Sequence, residues 1–172
     1  WTFHVICAKC ENSYFKEYES EEALLGPPSN RMLAQMALKD SLLLLSKYRR
    51  DRYTDQQAIE LGAFVGEIEV LTMMNNLDRG EMGFEIRRSR KIIEKRLKSG
   101  FKLIYHITLD WVTPLAFQSA MCVLYNLDGK TLNNVYEESD STRMQFLHVA
   151  VFPLSEKTVV MAFVHKDDRN YI

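Results

Sequence analysis

The chain has 172 residues, 47% of them hydrophobic, and its formal net charge is −1. This length and composition predict one compact domain, or a small module attached to one, and exclude a disordered or low-complexity chain. The near-zero charge excludes a general attraction to nucleic acid or to an anionic membrane, so any polyanion site must be local.

The cysteines and the apolar runs indicate the cellular compartment. Three cysteines, two of them close together, do not make a secreted disulfide framework. The longest apolar run, Leu42–Leu45, is too short to span a bilayer, and no signal peptide is visible. We therefore expect a reduced, cytoplasmic protein. The chain begins with Trp1 rather than methionine, which predicts that it starts inside a longer gene product or after a processing step.

Helical patterns, separated by breaking signals, run through the first hundred residues. Gly26–Pro28 predicts the end of a first helix, because proline cannot continue a helix, and Ser29 is suited to cap the next one. Thr54–Gln57 matches a capping box, and Asp78–Gly80 predicts a further break. The predicted helices span about 10–25, 29–48, 55–77 and 81–98.

Glycines punctuate the same region. Gly62 and Gly66, four residues apart in the third predicted helix, leave one helix face bare and predict the close approach of a neighbouring helix. Gly100 is placed to close the last predicted helix.

From Phe101 onward the hydrophobic pattern changes to alternation, which is typical of strands. Asp128-Gly129 predicts one hairpin turn, and Leu154–Lys157 predicts a second. Consecutive strands joined by short turns favour an antiparallel meander. The predicted strands span 101–109, 117–126, 131–136, 144–152 and 158–165.

The predicted fold class is α+β. It consists of an N-terminal zinc-knuckle-like strand-turn-helix, about three further helices, and an antiparallel sheet of about five strands that the helices cover. The corresponding units are a half knuckle over 1–26 and a single α+β domain over 27–172, helical over 29–99 and a sheet over 101–166.

The best chemical signal is the pair Cys7-x-x-Cys10, at a predicted strand-to-helix junction. Such a turn presents two sulfurs to one metal ion, and a structural zinc site needs four ligands. His4 is a conceivable third ligand, although residues 4 and 7 of a strand point to opposite faces, so the chain would have to turn before Cys7. A redox dithiol is the weaker alternative, because that motif usually lies in a βαβ context.

This segment resembles the second half of the treble-clef zinc knuckle of HNH-type endonucleases. The residues that carry the resemblance are Val5–Asn12 with Phe15, Glu17 and Glu19, about twenty positions in all. The resemblance implies that Cys7 and Cys10 are the second pair of zinc ligands, and that Asn12 approximates the family's asparagine, displaced by one position. In that family a first cysteine pair and a catalytic histidine come before this segment, and neither is present in the chain. The resemblance therefore implies a structural zinc knuckle without complete nuclease machinery.

A basic run on the last predicted helix is the second signal. Four of its cations follow a three-to-four spacing that makes one stripe, with two more nearby. The six are Arg87, Arg88, Lys91, Lys95, Arg96 and Lys98. Such a stripe predicts salt-sensitive, sequence-independent binding to phosphates. The alternative is a solvated helix face, balanced by the acidic residues Glu60, Glu67 and Glu69 of the preceding helix.

A second basic cluster needs no function to explain it. Lys47, Arg49, Arg50 and Arg52 lie at the predicted C-terminal end of the second helix, where cations suit the helix dipole.

Three histidines, His106, His148 and His165, fall within predicted strands. His106 and His148 have apolar neighbours in sequence, which is typical of core histidines. If their strands were adjacent, the three imidazoles could converge on a metal or acid–base site.

The sequence thus predicts a nucleic-acid-associated protein related to HNH-type nucleases. Its zinc knuckle is structural, and its basic helix over 87–98 contacts the phosphates of DNA or RNA. Two alternatives stay open: a non-catalytic interaction or assembly module that forms homo-oligomers or binds a protein partner, and a small-molecule enzyme that uses the sheet histidines. We expect no membrane contact.

Overall fold

The computed structural model describes residues 6–62, 65–134 and 143–168, with the backbone alone for 65–78. In these ranges the chain is α+β, with helices followed by one antiparallel sheet. The helices are α1 (Ala8–Tyr14), α2 (Glu21–Leu25), α3 (Asn30–Glu60) and α4 (Val65–Lys95), with a 3₁₀ turn over Lys16–Tyr18. The strands are β1 (Phe101–Leu109), β2 (Phe117–Met121), β3 (Leu147–Pro153) and β4 (Thr158–His165).

The first predicted helix is three short elements. α1 ends at Tyr14, the 3₁₀ turn follows, and α2 begins where the Ser20 hydroxyl accepts a hydrogen bond from the Ala23 amide at 3.1 Å. The two bends let Phe15 and Tyr18 both reach the core, where they are buried. A single straight helix over 10–25 was therefore the wrong prediction.

The two long helices run through their predicted breaks. The cap of Ser29 is confirmed, because its hydroxyl accepts from the Met32 amide at 3.0 Å. Thr54 does not begin a helix; its hydroxyl instead donates to the Arg50 carbonyl one turn back at 3.2 Å. α4 likewise continues through Asp78–Gly80. The two helices pack against each other, and this tertiary packing outweighs local breaking signals.

Two glycines have roles other than the predicted ones. Gly62 is not inside a helix but follows the end of α3 with φ of +90°, a left-handed conformation that suits glycine. Gly100 lies five residues beyond the end of α4. A Cβ there would overlap Ile92, so the position needs glycine for close packing.

The sheet order is β1-β4-β3-β2, with all neighbours antiparallel. The bounds of β1 and β4 coincide with the predicted ones, and the hairpin over Leu154–Lys157 is confirmed. The meander is confirmed only for β2 to β4, because β1 pairs with β4 and leaves β2 at the opposite edge.

The connection between β2 and β3 contains the predicted turn but not the predicted fifth strand. Gly129 has φ of +78°, and the Asn126 carbonyl accepts from its amide at 3.0 Å. Thr131 makes only an isolated bridge with Tyr125, and residues 135–136 of the predicted strand lie outside the described ranges.

The core lies between the helices and one face of the sheet. Phe101, Met161 and Phe163 from the strands pack there with Met36 and Ile92 from the helices. In the ranges that the structure describes, no helix is long and apolar enough to cross a bilayer.

The other face of the sheet, here called the outer face, carries side chains that alternate with the core residues. The strand register brings eight of them side by side: Tyr105, Ile107, Phe117, Ser119, Val149, Val151, Val160 and Ala162. Each is exposed or half-buried.

Candidate functional site

The cysteine pair lies at the start of α1. Cys7 is the N-cap residue and Cys10 belongs to the first turn of the helix. The Cys10 backbone amide donates to the Cys7 sulfur and lowers the pKa of that thiol, while the hydrogen bond to Cys7 raises the pKa of Cys10. The two sulfurs are therefore neighbours, an arrangement that suits two ligands of one zinc ion.

The described residues supply only part of a zinc site. They contain no group of three or more potential metal ligands, so the pair at Cys7 and Cys10 falls short of the four that structural zinc needs. His4, the predicted third ligand, lies outside the described residues.

The basic stripe runs along the last turns of α4 and onto the segment that leads to β1. Arg87, Lys91, Lys95, Arg96 and Lys98 are all exposed, and we call these five residues the basic surface. Within the described ranges none of the five forms an ion pair, whereas Arg90 on the same helix pairs with Glu94 at 2.8 Å.

The sixth predicted member, Arg88, does not lie on this surface. Its guanidinium points inward, where it contacts Glu85 at 2.6 Å and makes two hydrogen bonds of 2.8 Å to Asp168. Its side chain is 10% exposed. Because α4 is a helix, neighbours in sequence point to different sides, and Arg88 is committed to the interior.

A shallow hollow of about 410 Å³ adjoins the basic surface. It lies where α3 begins and is lined by Ser29, Asn30, Arg31, Arg96, Leu97 and Lys98. The Asn30 side chain fixes this arrangement by donating to the Lys98 carbonyl at 3.2 Å. Arg31 is held by Glu17 at 3.2 Å, so Arg96 and Lys98 are the cations here without a carboxylate partner among the described residues.

The second basic cluster is not at a helix end. α3 continues to Glu60, so Lys47, Arg49, Arg50 and Arg52 lie well before its last turn, and the dipole explanation for them was wrong.

The three sheet histidines have separate partners. His106 Nε2 lies 3.2 Å from the Leu24 carbonyl, and His148 Nδ1 lies 2.8 Å from Asp40. His165 Nδ1 accepts from the Asp167 amide at 3.2 Å, and burial lowers the pKa of His165 to about 4. The three imidazoles therefore share no hydrogen-bond partner among the described residues.

A buried polar network centred on Asp40 escaped the sequence prediction. One carboxylate oxygen accepts from Gln118 at 2.7 Å, and the other contacts His148. Asp40 and His148 are 1% and 0% exposed, so water has no access to this pair. The signal in the sequence was a carboxylate inside the apolar stretch 32–45 of a central helix.

Glu85 is the second buried carboxylate. Burial raises its pKa to about 7, although the neighbouring Arg88 opposes the change. Its Oε1, the Ser89 hydroxyl and His148 Nε2 are buried and accept or donate no hydrogen bond within the described structure. These groups belong to the interior and do not open onto the basic surface.

Comparison of the chain with protein-family models, with curated proteins and with solved structures finds no match.

Proposed function

We propose that this chain binds nucleic acid through the basic surface, as a non-catalytic part of a nucleic-acid-associated protein. The observation that supports this is the set of five exposed cations without an ion pair in the described ranges, on a chain whose net charge is −1. Such a local concentration of positive charge attracts phosphates even when the whole molecule is nearly neutral.

The chemistry of the basic surface fits backbone contact rather than base recognition. Lysine and arginine side chains on an exposed helix neutralise phosphates and release counterions, and this interaction carries no sequence information. We expect DNA and RNA to bind with similar affinity, since A-form and B-form helices both present phosphates.

The proposal includes a structural zinc ion held by Cys7 and Cys10. Two further ligands would have to come from residues that the structure does not describe, His4 among them, or from a neighbouring segment. The zinc would fix the start of α1 and take no part in a reaction.

The test is fluorescence anisotropy with a labelled mixed-sequence DNA duplex and its RNA equivalent, measured across a range of salt concentrations. The variant Arg87→Ala/Lys91→Ala/Lys95→Ala removes three of the five cations. On duplex DNA each lost phosphate contact lowers the slope of log K against log salt by about 0.9, so we expect the slope to fall by roughly 2 to 3.

The matched control is Lys47→Ala/Arg49→Ala/Arg50→Ala, which removes the same charge from exposed positions farther along α3. We expect this control to keep most of the affinity. An equal loss of nucleic-acid affinity in both variants, or no binding by the unmodified chain at low salt, would contradict the proposal.

A further inference from the structure

The outer face of the sheet is an apolar surface that no described helix covers. Tyr105, Ile107 and Phe117 are 49%, 37% and 38% exposed, and the valines between them are half-buried. The eight residues named above form the centre of this face and are uncharged, and Ser119 is the single polar one among them other than the tyrosine hydroxyl. Lys102 and Thr158 lie on the same face at its ends. A contiguous apolar surface of a few hundred Å² is often functional in a folded protein.

We propose that the outer face binds the outer face of a second copy of this chain, so that two sheets pack face to face in a homodimer. A two-fold interface brings the same patch of both subunits together, so the patch must be complementary to itself. The uncharged, apolar centre of this face satisfies the condition, because it brings no like charges together and aligned sheets pack through interdigitated side chains.

The size of the outer face is sufficient for such a pair. Four strands about 4.8 Å apart and about 24 Å long give a footprint of roughly 450 Å² per copy. Trp111 is 60% exposed in the segment that borders the face, where the Trp111 carbonyl accepts from the outward-pointing Thr158 hydroxyl at 2.9 Å. An aromatic side chain of this exposure adds roughly 100 Å².

The total is at most about 1,100 Å² over both copies, because Thr158 and Val164 on the same face are already fully buried. This area lies at the low end of the observed range, where interfaces are weak. We therefore expect a weak, reversible dimer rather than a permanent one. This inference goes beyond the proposed function, since it concerns a different surface and does not require nucleic acid.

The first experiment is sedimentation velocity on the full chain, from about 1 to about 200 μM, where mass action reveals a weak dimer. We expect a shift from the 20.1 kDa monomer to a species of twice that mass. Val160 lies at the centre of the outer face, paired with Val151 and Ile107 in the strand register. Val160→Lys and Val160→Glu should each be monomeric over this range.

A mixture of the two charged variants distinguishes a second copy from any other partner. In a two-fold pair the lysine of one subunit faces the glutamate of the other, so we expect the mixture to dimerise where neither variant does alone. Val160→Thr keeps the branched shape, so this variant tests the dimer even if the charged variants fail to fold. It should weaken the dimer at least about tenfold, because an unpaired hydroxyl is buried in the interface.

The control is Leu43→Lys, at an apolar position on α3 that is 38% exposed. It should dimerise like the unmodified chain. A chain that stays monomeric at the highest concentration would overturn the proposal and leave the outer face to another occupant. A dimer that survives in Val160→Lys would overturn it in favour of another surface, such as the β1 edge.

Discussion

At the scale of single residues, burial decides what the charged groups do. Arg88 and Arg87 are adjacent in sequence, yet Arg87 is exposed while Arg88 is enclosed by Glu85 and Asp168. The residue types predicted a basic stripe of six residues on this helix but could not say which of them face inward. That information comes from the helix packing, because the cost of removing a charge from water is offset only beside a partner of opposite charge.

The pH dependence of stability follows from two of these buried groups. The pKa of Glu85 is raised to about 7, so between about pH 4.5 and 7 the folded state holds more protons than the unfolded state, and stability falls as pH rises. The pKa of His165 is lowered to about 4, so stability rises with pH between about 4 and 6.5. The two trends oppose each other.

We expect the stability of the Glu85→Gln variant to show only the rise with pH that His165 causes. Relative to the unmodified chain, the variant should gain up to about 3.5 kcal/mol of unfolding free energy between pH 4.5 and 7, at about 1.4 kcal/mol for each pKa unit. Urea denaturation followed by circular dichroism at several pH values measures this. Glu156→Gln, at an exposed glutamate, is the control, and a parallel pH profile for Glu85→Gln and the unmodified chain would refute the prediction.

At the scale of elements, the strands were easier to predict than the helices. β1 and β4 have the predicted bounds because alternation of apolar residues is a local signal that the sheet preserves. The helix breaks at Thr54 and at Asp78–Gly80 were wrong, because local capping and glycine signals are worth about 1 kcal/mol and the packing of two long helices outweighs them.

Gly80→Ala tests the continuity of α4. The added Cβ meets no atom within 4 Å, and alanine in a helix interior is more stable than glycine by about 0.5 to 1 kcal/mol. The melting temperature should therefore rise. Gly62→Ala, at φ of +90°, should lower it, and this contrast separates a helical glycine from a left-handed one. A fall in melting temperature for Gly80→Ala would contradict a continuous α4 and support the helix break predicted from the sequence.

At the scale of the whole molecule, stability and the proposed functions reside in different layers. The core is built from the long helices and one sheet face, with Phe15 and Tyr18 added from the N-terminal segment. Cys7 is exposed and Cys10 is half-buried, and neither belongs to the described core clusters. The basic surface lies in the helical layer, while the outer face lies on the opposite side of the sheet.

The position of the cysteines predicts that zinc is dispensable for the fold. The double variant Cys7→Ser/Cys10→Ser should lose bound zinc, measured by plasma mass spectrometry, yet keep a single cooperative thermal transition, because the hydrophobic core is unchanged. Complete unfolding of the unmodified chain by a chelator would contradict this expectation, and an absence of zinc from the purified chain would refute the zinc site itself.

The sequence alone determined the α+β class, the bounds of two strands, the cap at Ser29 and the presence of a cation-rich helix. Periodicity, capping and charge patterns depend only on residues that are close together in the chain. The tertiary structure alone decided that β1 pairs with β4, that Asp40 meets His148 across 108 positions, and that no helix in the described ranges covers one face of the sheet. These features depend on contacts between residues far apart in the chain, where burial and pairing rather than local preference set the free energy.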